Sequence, residues 1–167
     1  MEFYQEETNK LRRMIVWLVD IIVVISLAWF VVYGFGTQIR ITGQSMTPEL
    51  RSEDVVLMNR LSYDLGSPKR FDVVVFERED KKPNVKRVIG LPGETVEYRQ
   101  DQLLINGKIV EEDFFDEDYK RSQSTNGIFT QDFGPVTLAE DEYFMLGDNR
   151  PYSSDSRWYG AFKKEQI

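Results

Sequence analysis

From Met14 to about Phe35 the chain is apolar, interrupted only by Asp20 and a few small or hydroxylic residues. At a rise of about 1.5 Å per residue, such a run spans roughly 33 Å as a helix, enough for the hydrocarbon core of a bilayer. Two alternatives fit it less well. A cleaved leader has a shorter apolar stretch and a small-residue cleavage site, whereas Phe30-Val31-Val32-Tyr33-Gly34-Phe35 is bulky throughout. A helix buried in a soluble protein is rarely apolar on all faces for this length. The run therefore predicts an uncleaved transmembrane anchor over residues 14–35. Asp20, about two turns inside, is costly there as an ion. Protonation, snorkelling to the near interface or a partner helix would each relieve it.

Lys10, Arg12 and Arg13 abut the N-terminal end of the run, and only Arg40 stands near the other. By the positive-inside rule this predicts a single-pass protein of the cell membrane, with residues 1–13 a cytoplasmic tail and residues 38–167 an extracytoplasmic domain. Trp17 near the entry and Trp29 and Tyr33 near the exit suit interfacial anchors.

The outer part is patterned for a mostly β, antiparallel fold. Asp54–Asn59, Phe71–Glu77, Thr95–Arg99, Leu103–Val110 and Glu142–Leu146 are short runs rich in Val, Ile, Phe and Tyr. Gly66-Ser67-Pro68, Lys82-Pro83-Asn84 and Pro92-Gly93 separate them as turns. Thr95–Val110 reads as a hairpin around Gln100-Asp101-Gln102, with a second tight turn at Asn106-Gly107. Beyond the anchor no segment sustains helical periodicity. Glu111–Asp118 is an acidic run whose spacing fits no Ca²⁺ loop, and a solvated loop is expected there.

Composition removes several chemistries. The chain has 28 acidic against 21 basic residues and no basic cluster, which argues against a nucleic-acid partner. It has no Cys and no His, so disulfides, thiol catalysis, nearly every zinc site and every His-based triad are excluded. No metal or cofactor is implied. Hydrolytic chemistry would have to run on Ser, Thr, Lys, Tyr or carboxylates.

Three segments could carry such chemistry. Ile41-Thr-Gly-Gln-Ser-Met-Thr-Pro-Glu-Leu50 follows the membrane exit; its Ser45 alone reads as a turn serine. In Val85-Lys-Arg-Val-Ile-Gly-Leu-Pro-Gly-Glu94, Lys86 enters an apolar run. A lysine there usually snorkels to the surface, but burial would lower its pKa toward the range where an amine serves as a base. Gly147-Asp-Asn-Arg-Pro-Tyr-Ser-Ser-Asp-Ser-Arg-Trp-Tyr-Gly160 is dense in hydrogen-bonding side chains, as a well-capped loop would be.

In order and spacing, these segments resemble the signature boxes of the bacterial type I signal peptidases, Gram-positive-like branch: a Ser-Met-x-Pro box, a Lys-Arg-Val-Ile-Gly-Leu-Pro-Gly box and a Gly-Asp-Asn-Arg…Ser-x-Asp-Ser-Arg box. The N-terminal anchor belongs to the same pattern, so the resemblance runs from about residue 14 to the end. It implies a membrane-bound serine endopeptidase that removes signal peptides from exported preproteins after Ala-x-Ala-type sequences. Its partners would be those signal peptides and the lipid bilayer. Its fold would be a β catalytic domain of signal peptidase type, with a small β subdomain at about 94–140.

Carried over by motif position, Ser45 is the nucleophile, Lys86 the general base and Ser153 the hydroxyl that orients the Lys86 amine. Asp155 and Arg157 resemble the pair whose salt bridge shapes the loop under the site. The Ser45 backbone N–H would serve the oxyanion hole. Some relatives place a second serine donor two residues earlier; this chain has Gly43 there. Ile41, Met46, Leu50 and Val85 would line shallow apolar pockets for the −1 and −3 side chains. If the first segment is extended, Ile41, Gly43 and Ser45 share one face, and the peptide adds as a strand. Relatives usually continue past the equivalent of Ile167 with a further short strand or two.

Three competing readings are separable. A self-cleaving repressor-type Ser/Lys hydrolase lacks a membrane anchor, against Met14–Phe35. A non-catalytic relative that assembles surface structures would have lost Ser45 or Lys86, and both are present. A membrane-tethered β binding module needs no buried lysine and gives no rate.

Overall fold

The apolar run and the charged residues ahead of it form one helix in the computed structural model, which describes residues 2–59, 66–78 and 83–167. This helix, α1, spans Glu2–Phe35. It begins well before Met14 because the Glu, Gln, Lys, Leu and Arg of the tail are themselves good helix formers. Its segment Lys10–Gly34 is long and apolar enough to cross a membrane. The large apolar side chains from Leu11 to Val32 are each at least 50% exposed, so no described residue covers them. Trp29 and Tyr33 stack with ring centroids 5.4 Å apart.

The chain divides into two compact units, Met1–Ile39 with Leu57–Leu65 and Arg40–Val56 with Gly66–Ile167. β1 (Thr37–Arg40) and β2 (Val55–Met58) form a two-stranded sheet. The larger unit holds two four-stranded sheets. The first has the order β10-β9-β4-β3, from Phe162–Lys163, Glu142–Leu146, Pro83–Gly90 and Val73–Glu77. The second has the order β7-β6-β5-β8, from Lys108–Val110, Gln102–Ile105, Thr95–Arg99 and Phe133–Thr137. Every paired strand in these two sheets is antiparallel. The core joins them: Ile89, Phe144 and Leu146 pack with Val96, Tyr98, Leu103, Ile105 and Leu138. Each of these apolar side chains contributes about 1.5–3 kcal/mol by leaving water.

The mostly β, antiparallel expectation holds, with local differences. Asn106 and Gly107 make the expected tight turn with φ of 51° and 75°, and Gln100 and Asp101 turn the preceding hairpin at 52° and 62°. Lys82 of the expected Lys82-Pro83-Asn84 turn lies outside the described residues, and Pro83 and Asn84 instead open β4. Proline is tolerated at the first residue of a strand, where its missing N–H costs little. β3 starts two residues later than expected because Phe71 sits at φ 71°.

Glu111–Asp118 is not simply a solvated loop. Phe115 is buried, and the carboxylate of Asp116 caps a short helix, α2 (Glu117–Gln123), by accepting from the Tyr119 N–H. The remaining short elements are α3 (Ser156–Tyr159) and single 3₁₀ turns at Arg150–Tyr152 and Lys164–Gln166.

Candidate active site

β4 lies between β3 and β9, with Lys86 opposite Val74 and Arg87 opposite Val73 and Leu146. From Lys86 to Gly90 every residue is buried, because this end of the strand is covered on both faces. Successive residues of a strand point to opposite faces. Arg87 is paired in a fork, Nε donating to Asp148 Oδ1 at 2.8 Å and Nη2 to Oδ2 at 2.6 Å. Among the described residues, no carboxylate lies in hydrogen-bond reach of Lys86. Its Nζ donates to the Val85 carbonyl at 3.1 Å and stands 2.7 Å from Ser45 Oγ, 41 residues away in sequence.

The Ser45 segment is a turn rather than the extended stretch that the sequence suggested. Gly43 takes φ 91°, which breaks any alternation among Ile41, Gly43 and Ser45. Ile41 exchanges backbone hydrogen bonds with Asp54 and Glu53, and the chain then folds back, Leu50 N–H donating to Met46 O at 2.9 Å. Met46, 2% exposed, plugs the turn into the interior. Three contacts hold it from outside. The Asn149 N–H donates to Ser45 O at 3.0 Å, the Asn149 side-chain amide to Gln44 O at 3.1 Å, and the Tyr119 hydroxyl to Thr47 O at 2.6 Å.

Burial acts against the charged form of Lys86. It is 4% exposed, and loss of water is the largest influence, pushing its pKa down. The Asp155 carboxylate opposes this, Arg78 adds to it and Asp148 opposes it more weakly; the net direction is down. Asp155 is itself engaged by Arg157, Nε to Oδ1 at 2.8 Å and Nη2 to Oδ2 at 2.8 Å, and it accepts the Gly147 N–H at 3.0 Å. The salt bridge expected between Asp155 and Arg157 is therefore present under the loop.

Ser45 and Lys86 are thus brought together, with Asp155 and Arg157 beside them. The remaining expectations fare differently. The Ser153 hydroxyl is buried and makes no hydrogen bond among the described residues, so the bond to Lys86 expected of it is not formed here. It lies against Gly147, where a Cβ would stand 2.2 Å from Ser153 Oγ and 2.4 Å from Ser45 O; only glycine allows this approach. Ile41 and Met46 are buried beneath the turn, and Leu50 and Val85 are half-buried.

Sequence reasoning assigned no role to Asn149, Arg150 or Glu112. Arg150 is 1% exposed. It pairs with Glu112 and donates to Tyr98 Oη at 2.6 Å, Thr130 Oγ1 at 3.1 Å and Gly147 O at 3.1 Å. Only its place in the box after Gly147-Asp148-Asn149 signalled it; Glu112 was hidden within the acidic run.

Comparison with known proteins agrees in family and fold. Residues 14–167 match the family described as "Signal peptidase, peptidase S26". The chain is 36% identical over 166 residues to signal peptidase I P of Bacillus subtilis subsp. natto, covering 98% of this chain and 90% of that one. It is 39% identical over 168 residues to signal peptidase I of Bacillus caldolyticus, covering 97% and 89%. A crystal structure of a signal peptidase I from Enterococcus faecalis is 44% identical, with a TM-score of 0.55, and matches 60% of this chain and 93% of that one.

Proposed function

The chain belongs to the signal peptidase family, peptidase S26, and from that premise we propose that it cleaves signal peptides from exported preproteins with Ser45 as nucleophile and Lys86 as general base. The carrying observation is the 2.7 Å separation of Lys86 Nζ and Ser45 Oγ in a place where burial lowers the lysine pKa. A neutral amine there accepts the hydroxyl proton, as general-base catalysis requires. The Ser45 oxygen then attacks the scissile carbonyl carbon, and the Lys86 ammonium gives the proton to the departing amine. The mature protein leaves by its new N-terminus, and the signal peptide remains as an ester on Ser45. Water, deprotonated by the same amine, attacks that ester and restores both side chains. The charge that develops on the carbonyl oxygen is met by the Ser45 N–H.

Ser153 serves this scheme by holding the amine once substrate has displaced water and the side chains have tightened, as catalytic hydrogen bonds commonly do. Asp155 and Arg157 keep the loop beneath it in shape. Cleavage after small residues of the Ala-x-Ala kind suits apolar surroundings with little depth. Ile41 and Met46 would floor the −1 and −3 pockets, and Val85 and Leu50 would wall them. Residues 14–35 are read as the span, 1–13 as cytoplasmic and 38–167, with a subdomain at about 94–140, as facing the emerging preprotein across the bilayer surface. The basic residues Lys10, Arg12 and Arg13 support that orientation.

The full chain in detergent should cut a preprotein whose leader ends in Ala-x-Ala, and N-terminal sequencing should find the product starting just after the second Ala. A product starting elsewhere, or none, would overturn the specificity or the activity respectively.

A further inference from the structure

The peptide bond between Gln44 and Ser45 carries two groups that point in opposite directions, the Gln44 carbonyl and the Ser45 N–H. The second is the proposed oxyanion donor. The first accepts a hydrogen bond from the Asn149 side-chain amide at 3.1 Å. The adjoining Ser45 carbonyl accepts the Asn149 N–H at 3.0 Å, so a single residue holds two successive carbonyls of the turn. Asn149 is 4% exposed, and its Oδ1 is buried without a partner among the described residues. A side chain placed only for folding would engage both ends of its amide; here the donor end alone is engaged, on the Gln44 carbonyl. The Gln44 carbonyl also fixes which end of the amide faces it, since turning the amide over would oppose two acceptors.

From this geometry we propose that Asn149 is a positioning residue for the oxyanion hole, acting through the Gln44–Ser45 peptide unit. Its side chain fixes the tilt of that peptide plane, and so aims the Ser45 N–H at the place where the carbonyl oxygen gathers charge. Donation to Gln44 O also draws electron density along the same amide, which makes the opposite N–H a stronger donor. Gly43, at φ 91°, provides no side chain to share that task, so the single backbone donor depends on being well aimed. The proposal rests on the assignment of Ser45 as nucleophile.

The test compares wild type with Asn149→Leu, which keeps bulk and removes both ends of the amide, and Asn149→Asp, which keeps shape and removes the donor. The probes are a peptide substrate and the matching peptide aldehyde, which Ser45 captures as a hemiacetal with oxygen in the oxyanion's position. Removing a direct oxyanion donor costs about 10²–10³ in kcat, and an indirect aid should cost less, about tenfold to a hundredfold. Expected is that fall in kcat with KM changed less than about twofold, an equal loss of aldehyde affinity and, in the uncharged Asn149→Leu, an unmoved pH–rate midpoint. A rise in KM at unchanged kcat, equal loss of aldehyde and substrate affinity, a displaced midpoint in Asn149→Leu, or failure of both variants to fold would each overturn the proposal. Ser45→Ala, run beside them, tests the underlying reading separately. If it retains activity the nucleophile is misassigned, whatever the Asn149 variants do.

Discussion

Lys86, at 4% exposure, and Arg150, at 1%, are cations taken out of water within the same compact unit. Arg150 meets the Glu112 carboxylate, the Tyr98 and Thr130 hydroxyls and the Gly147 carbonyl. Burial alone would loosen its proton, but Tyr98 and Glu112 reverse that and hold it more tightly than usual. Lys86 meets one carbonyl and one hydroxyl, and its proton is loosened. Carboxylates are not missing around Lys86. Asp155 is forked onto Arg157 and Asp148 onto Arg87, so each is already paired, and their pull on the amine does not outweigh its loss of water. Burial is common to both places; what differs is whether an anion is left over for the cation. In one the structure holds a cation tightly, and in the other it loosens the proton of an amine.

The sharpest break of this contrast is at Lys86. Lys86→Met keeps the stem's bulk and removes the amine, and it should lower kcat/KM by at least about a thousandfold, as loss of a catalytic base does. It should be no less stable than wild type at neutral pH. A lysine whose folded pKa lies below its ordinary 10.5 binds its proton less tightly when folded, so wild-type stability rises with pH between those two values. That slope should vanish in the variant, as read from urea melts across the window. A marked drop in melting temperature would instead make Lys86 a charged structural residue.

Glu112→Gln breaks the other side. It leaves Arg150 buried without a carboxylate, and removal of one partner of such a pair costs about 3–5 kcal/mol. Replacing Arg150 and Glu112 together by Met should recover part of that loss in the same melts. If the double change were worse than the single, the cluster's hydrogen bonds rather than its charge pair would be what stabilises the fold.

Arg157→Met tests whether the two kinds of site can be interconverted. With Arg157 gone, Asp155 is free to act on Lys86, whose pKa should rise. The midpoint of the alkaline-rising pH–rate profile should therefore move to higher pH, with activity at the plateau less affected than activity at neutral pH. An unmoved midpoint would mean that Arg157 does not screen Asp155 from the amine.

The long apolar helix and the hairpins were legible because one kind of evidence decides each. A long apolar run needs no partner to declare itself, and Asn106-Gly107 fixes its own turn. Ser45 and Lys86 were found through the boxes around them, and their meeting at 2.7 Å depends on contacts that no local pattern encodes. The turn at Ser45 was missed because alternation of Ile41, Gly43 and Ser45 is read from identities, whereas Gly43 adopts a φ that only the fold requires. Glu112 looked like one acid among many, since its partner lies 38 residues further on. Asn149 carried no signal of its own: an asparagine in a polar loop reads the same whether it holds solvent or a backbone carbonyl.

Lys86 and Arg87 are neighbours on β4, and the pleat sends them to opposite sides of the strand. A slip of one residue against β3 would therefore exchange an amine for a guanidinium beside Ser45, and every other contact of the strand would invert with it. An arginine stays protonated under all conditions in which a protein folds, so the slipped pairing would be a sealed ion rather than the base proposed for this site. The alignment of Val74 with Lys86 thus acts as a frame, read in steps of one residue, in which only one setting offers an amine to Ser45.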